Sequence, residues 1–354
     1  MGSSIREVAR EANVSLSTVS KVLNGTADAK FAAATRERVF AAARRVGYHP
    51  NAIARGLVRK RMDTVGLVMA YDQVSVTSDP YLGACLDGIL RVNKERRQKT
   101  LIFTENSWED ALDSVPSYCD GHSDGLMVVI PRTNSAIVGA LKERRTPFVL
   151  VGDSREDDEI VTVDADNEGG ARDAVAYLVS LGHRRIAAFC GNADFASNSQ
   201  RLAGYRRALR EAGIAYREDF VFPGEYWADH GHRNLCALRE RFSDRPEQRP
   251  TAVFCFNDGI AKGALDAARE MGLSVPDAIS VIGFDDTPYA ATLPPPLTTI
   301  RQDIAMVGEA AARVLLDRIN GIVAPGHREL VPTSLVVRET TSPPPAPEAA
   351  AGNG

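Results

Sequence analysis

From Thr64 onward, short apolar runs alternate with stretches of helical periodicity, and the runs are too uniformly apolar to leave a face in water. Strands of that kind are covered on both faces, which calls for parallel pairing with helical crossovers. Val65–Ala70, Thr100–Thr104, Leu126–Ile130 and Phe148–Val151 read as strands of one doubly wound lobe, separated by helices near 81–97, 108–119 and 134–144. After a hairpin-like Ile160–Val163 the alternation resumes as a second lobe. Its strands are Ile186–Cys190, Phe220–Phe222, Ala252–Phe256 and Ile279–Gly283, with helices near 168–181, 200–212, 228–241 and 259–271. Leu297–Arg301 leads into a helix from about 305 to 320, long enough to return to the first lobe, and Glu329–Arg338 is extended. A chain of 354 residues, 44% of them hydrophobic, can bury cores of this size. The Pro- and Ala-rich residues 341–354 are expected to form a disordered tail.

Ahead of the lobes lies a small helical region, residues 1–48. Ile5, Val8, Ala9 and Ala12 form one apolar stripe, and Asn13-Val14-Ser15 breaks it. In the next helix Val14, Val19, Val22 and Leu23 can face inward. Ser15, Leu16, Ser17, Ser20 and Lys21 then face out, short polar or cationic side chains suited to base edges and phosphates. Gly25 is placed to stop this helix, and Gly47 to end a third that runs from about 33 to 46 with Val39, Phe40, Ala43 and Val46 apolar. The spacing fits a helix-turn-helix better than the alternative, a helical hairpin with no nucleic-acid role. Charge favours the first. Residues 1–61 hold twelve Lys/Arg against four Asp/Glu, a net of +8 in a chain of net −4, so the remainder carries −12.

Residues 49–63 form a basic connection. Pro50 and Asn51 can start a helix of about two turns, marginal alone and weakened by Gly56. Leu57 between Arg55 and Arg59 fits an apolar wedge entering a minor groove; a solvated linker with one stray leucine is the plainer reading.

Ligands of open parallel sheets settle at the carboxyl ends of strands, and two facing lobes make a closing cleft. Asp285, Asn257, Arg201 and Tyr81 follow strands, and together offer a carboxylate, an amide and a guanidinium for vicinal hydroxyls. Tyr226 offers an aromatic face for a sugar ring. Each also has a structural reading: an Asp after a strand often caps a helix, and a Tyr beside Trp227 often packs. The long stretch Tyr71–Pro80 either shapes ligand specificity or is an exposed insertion.

Enzyme signatures are weak. Gly121-His-Ser-Asp-Gly125 satisfies G-x-S-x-G, but the nucleophile elbow needs a strand before the Ser and a helix after it, the reverse of the order expected here. Phosphate-loop, dinucleotide and H-E-x-x-H motifs are absent. Cys85, Cys119, Cys190, Cys236 and Cys255 are scattered, as reduced small hydrophobes would be, so neither metal nor cofactor is expected. His183 reads as structural. With no basic-then-apolar leader before the first helix and no run of membrane-spanning length, a cytoplasmic, nucleoid-associated protein is expected.

The motifs Ile5-Arg-Glu-Val-Ala9, Val14-Ser-Leu-Ser-Thr-Val-Ser-Lys-Val-Leu-Asn24, Thr35-Arg-Glu-Arg-Val39, Gly47-Tyr-His-Pro-Asn51, Asp124-Gly-Leu126, Leu181-Gly-His-Arg-Arg-Ile186, Arg201-Leu-Ala-Gly-Tyr205, Asn257-Asp258, Val281-Ile-Gly-Phe-Asp-Asp286 and Pro296-Leu-Thr-Thr-Ile300 add up to a resemblance. To about Arg338 the sequence resembles the LacI/GalR family of bacterial transcription regulators. The resemblance implies a helix-turn-helix headpiece, a hinge helix and a two-lobed effector domain (residues 64–340) similar to periplasmic sugar-binding proteins. It also implies a homodimer on a pseudo-palindromic double-stranded operator, acting as a repressor switched by a small molecule. Carried over by position, Leu16, Ser17 and Lys21 read bases and Leu57 intercalates. The wider DNA-binding set is Ser15, Thr18, Ser20, Asn24, Tyr48, Asn51 and Arg55. Arg201, Asn257, Asp285 and Tyr226 align with effector contacts, with Tyr81 and Gln302 as further carry-overs. The effector implied is a sugar, with purines or nucleosides as the alternative. A solute-binding protein without regulatory function is a third reading, which the basic headpiece disfavours. Two departures stand out: the loop from Asn24 to Thr35 is longer than usual by about two residues, and Leu16 and Ser17 are less polar than the usual base readers.

Overall fold

A computed structural model describes residues 4–24, 31–49, 56, 59, 61–70 and 79–345. The expectations placed on Gly25, Asn51, Arg55, Leu57, the greater part of Tyr71–Pro80 and residues 346–354 lie outside the described residues. The chain divides into two compact units, residues 1–64 with 120–124, and residues 65–119 with 125–354.

In the first unit, helices α1 (Ile5–Ala12), α2 (Leu16–Leu23) and α3 (Ala33–Arg45) surround Val8, Ala12, Val19, Val22, Val39 and Ala42. Ser4 and Glu7 close a capping box at the start of α1. Its end is turned by Asn13 at φ 53°, a conformation that Asn tolerates and a branched residue resists. Gly47, at φ 64°, ends α3 as expected; the Tyr48 amide donates to Ala43 O at 2.9 Å and the Gly47 amide to Arg44 O at 3.2 Å. Phe40 departs from the apolar stripe and is 45% exposed.

The second unit holds two six-stranded sheets. The first lobe contains β1 (Thr64–Ala70), α4 (Pro80–Glu95), β2 (Lys99–Glu105), α5 (Trp108–Asp113), α6 (Val115–Tyr118), β3 (Leu126–Val129), α7 (Ile137–Arg144), β4 (Phe148–Val151) and β5 (Val161–Ala165). The second contains α8 (Asn167–Ser180), β6 (Ile186–Phe189), α9 (Ala196–Glu211), β7 (Val221–Phe222), α10 (Ala228–Arg241), β8 (Ala252–Cys255), α11 (Asp258–Glu270), β9 (Ser280–Asp285) and β10 (Thr298–Gln302). Then α12 (Ile304–Ile319) returns to the first lobe, where the helices meet at glycine. A Cβ on Gly88 would lie 2.0 Å from Ala305 O, and one on Gly308 2.1 Å from Cys85 O. Two further strands follow, β11 (Arg328–Val331) and β12 (Thr333–Val336). Strand orders are β11-β5-β4-β3-β1-β2 and β12-β10-β9-β8-β6-β7. The central strands are buried along their length, as continuous apolar runs require.

Three expectations need correction. Ile160–Val163 is no hairpin: β5 pairs parallel with β4, Leu150 opposite Thr162, because residues 152–160 carry the chain back before it pairs. Residues 329–338 are two strands rather than one extended run. Pro332 separates β11, parallel on β5, from β12, antiparallel on β10, so this segment crosses between lobes, as do residues 166 and 303. Order also continues past residue 340. Thr340 is buried and its hydroxyl donates to Val281 O at 2.6 Å, while the Ser342 amide donates to Ser280 Oγ at 3.1 Å.

Candidate functional site

The strand ends of the two lobes enclose a cavity of about 470 Å³. Arg201, Asn257, Asp285, Tyr226, Tyr81 and Gln302 all line it. Arg201, on the first turns of α9, is only 4% exposed. Its Nε donates to Asn167 Oδ1 at 2.9 Å, Nη1 donates to Phe256 O, and Nη2 lies 3.6 Å from Asp285 Oδ1. The guanidinium carbon stands 3.8 Å above the Phe284 ring centroid. A buried cation needs such a full set of partners, and the stacked ring adds a cation–π contact.

Asp285 ends β9 at φ 119°, followed by Asp286 at φ 57°. Two successive residues of positive φ cost about 1–3 kcal/mol each and persist only where the surroundings hold them. Here Arg301 Nε and Arg338 Nη2 each donate to Asp286 at 2.6 Å, pinning the turn that aims Asp285 into the cleft. Gln302 Nε2 donates to Asp285 Oδ1 at 2.5 Å. Burial raises the Asp285 pKa above the usual carboxylate range, and Arg201 opposes the shift.

Asn257 faces the cleft but is also a structural residue. Its Oδ1 accepts from the Ile260 amide at 2.8 Å, capping α11, and its Nδ2 donates to Tyr226 O at 3.1 Å. That carbonyl contact helps to set the Tyr226 ring, which lies against Gly191 with its hydroxyl 2.9 Å from Ser197 Oγ. Tyr81 opens α4, where Asp79 Oδ1 accepts from its amide at 2.8 Å, and burial pushes the phenol pKa well above its ordinary value.

Sequence reasoning missed several lining residues: Asp164, Asn167, Trp108, Phe195, Ser197 and Tyr289. Asp164 closes β5 and accepts from Asn167 Nδ2 at 3.0 Å; burial pushes its carboxyl up to about 7. The signal for Asp164 and Asn167 was present, since both stand at the carboxyl end of a parallel strand once β5 is read as one. The completed lining sets Asp79, Asp164 and Asp285 around one guanidinium, with Trp108, Tyr226 and Trp227 as flat apolar walls. Such a lining can accept and donate hydrogen bonds in pairs and stack on a ring.

Ser123 lies between α6 and β3, with no strand before it, so the elbow geometry is not formed. Among the described helices none is long and apolar enough to cross a membrane.

On the headpiece, Ser15 caps α2, its Oγ accepting from the Thr18 amide at 3.1 Å. Leu16, 46% exposed, stands with Ser17 and Lys21 on the open face. Thr18 and Ser20 are half-buried, and Ser20 Oγ accepts from Asn24 Nδ2 at 3.1 Å. Tyr48 packs against the headpiece core.

Two family descriptions match the chain: bacterial regulatory proteins of the lacI family over residues 4–51, and a periplasmic binding protein-like domain over residues 175–341. The HTH-type transcriptional regulator CelR of Thermobifida fusca is 34% identical over 336 residues, covering 94% of this chain and 96% of its own. The HTH-type transcriptional repressor PurR of Erwinia tasmaniensis is 36% identical over 321 residues, covering 89% and 90%. Among solved structures, a CelR–cellobiose complex superposes with a TM-score of 0.73 at 32% identity, covering 96% of this chain and 99% of that one. The lac repressor dimer bound to operator and the anti-inducer ONPF superposes at 0.82 and 28% identity, covering 97% and 100%.

Proposed function

We propose that this chain, which belongs to the lacI family of bacterial regulatory proteins, is a cytoplasmic, homodimeric transcriptional repressor whose hold on a pseudo-palindromic operator is switched by a sugar bound between its lobes. The observation that carries the effector reading is the cleft, in which the buried Arg201 and Asp285 line one cavity of about 470 Å³ together with Asp164, Tyr226 and Trp108. Carboxyl groups, an amide and a guanidinium recognise vicinal hydroxyls, and flat aromatic walls accept the apolar face of a sugar ring. A purine is the second reading, favoured by the PurR relatives and by the same aromatic walls. These residues are assigned to binding rather than turnover.

Residues 1–48 are assigned to operator reading, 49–63 to the hinge and 64 onward to effector binding and dimerisation. Leu16, Ser17 and Lys21 meet the major groove, with Ser15, Thr18, Ser20, Asn24, Tyr48, Asn51 and Arg55 supporting them, and Leu57 enters the minor groove. Effector binding turns the first lobe against its dimer mate and changes the separation of the two hinge segments. Each segment is marginal alone, so a few kcal/mol of differential effector affinity decides whether both dock.

Thermal unfolding against mono- and disaccharides, sugar phosphates, purines and nucleosides tests this. A ligand of the folded state alone adds about 2.7 kcal/mol at one hundred times its dissociation constant. The expected result is a raised melting temperature with a neutral sugar, abolished by Asp285→Ala. A rise with purines alone overturns the sugar reading.

A further inference from the structure

The Asp124 side chain is largely buried, 9% exposed. The carboxylate takes hold of the chain where the hinge ends. Asp124 Oδ1 accepts from the Met62 amide at 2.7 Å and Oδ2 from the Thr64 amide at 3.4 Å, and Arg61 Nε lies 3.9 Å from Oδ2. The Asp124 amide returns a bond to Thr64 O at 2.7 Å. A carboxylate that accepts from two amides makes charge-assisted bonds, stronger than the neutral pairs that usually start a strand, and the Arg61 guanidinium stands beside it at ion-pair distance. Earlier in the same unit, the Arg59 guanidinium donates to the carbonyl of Asn24, at the carboxyl end of α2. The segment between Arg59 and Thr64 is thus fastened at one end to the recognition helix and at the other to Asp124.

The two strands that leave this clamp lead to the cleft. β1 starts at Thr64 and β3 two residues after Asp124; they pair in parallel, Gly66 opposite Leu126. Their far ends, Met69 and Ala70, Val129 and Ile130, line the cavity. Within the second unit, residues 65–69 and 126–129 run to the cavity as buried strand. We propose that Asp124 is a positioning residue for operator binding, a clamp that fixes the end of the hinge so that movement at the cleft reaches the DNA-reading arm instead of being absorbed by loose chain. This rests on the regulator reading above.

The test uses the full chain and a duplex selected by the wild-type protein from a random pool. Hydrogen exchange at the Met62 and Thr64 amides, affinity for that duplex and the melting temperature are measured for wild type, Asp124→Ala and Asp124→Asn. The clamp predicts that Asp124→Ala speeds exchange at Met62 at least tenfold and weakens duplex binding about tenfold with the main melting transition unchanged. Asp124→Asn, which keeps an acceptor for Met62, recovers most of both. Faster exchange with duplex affinity within twofold of wild type reduces Asp124 to a strand start and overturns the proposal, as does unchanged exchange. A wild-type protein that selects no duplex overturns the regulator reading and the clamp with it; one that selects a duplex indifferent to Asp124 overturns the clamp alone.

Discussion

His183 lies buried between Thr251 Oγ1, 2.8 Å from Nδ1, and Ser342 O, 2.9 Å from Nε2. A carbonyl can only accept, so the proton is on Nε2 and Nδ1 accepts from the threonine hydroxyl, a neutral ring serving as a staple for the chain at Ser342. Burial lowers its pKa below the ordinary 6.5. The unfolded chain therefore binds the proton more readily, and stability that is intact above pH 6.5 is lost as the pH falls through that value towards the lower folded pKa. Melting temperature should fall on going from pH 7.5 to 5.5, and fall less in His183→Gln; equal falls would show that the staple does not titrate. Arg201 and Asp285 were legible because each follows a strand that the apolar runs make plain. Their partners were not: the Phe284 ring beneath Arg201 and the two arginines that pin Asp286 come from distant parts of the chain, and no local pattern pairs them.

Helix α2 shows how far local pattern reaches. Its inward Val19 and Val22 and its open Leu16, Ser17 and Lys21 follow from helical spacing alone. β5 shows where local pattern stops. A short run such as Ile160–Val163 has no signature of pairing direction, so it resembled a hairpin, and Asp164 and Asn167 went unnoticed beyond its end. The extended run before the tail failed for a related reason, since only the packed lobes decide that Pro332 divides strands of different sheets. For the reading helix, Lys21→Ala should weaken duplex binding: with lost discrimination between duplexes if Lys21 meets a base edge, or with a slope of log affinity against log salt reduced by about one if it meets a phosphate. Unchanged binding would place Lys21 elsewhere. For the hinge, Leu57→Ala should weaken duplex binding at least tenfold while leaving ligand-induced thermal shifts intact, because the wedge acts only on DNA; unchanged binding would remove the wedge from the mechanism.

Across the molecule, acid and base are divided by task. The net +8 of residues 1–61 serves an anionic partner, whereas the remainder, which carries −12, holds the ligand cleft. Joining these activities requires that the cleft have two arrangements and that the hinge sense the difference; a ligand indifferent to the two arrangements would shift nothing, however tightly it bound. Affinity for the selected duplex, measured with and without the sugar that raises the melting temperature, tests that requirement. The proposed switch predicts a change of about tenfold or more in wild type and none in Asp285→Ala. A sugar that stabilises the protein through Asp285 yet leaves duplex affinity unaltered would contradict it.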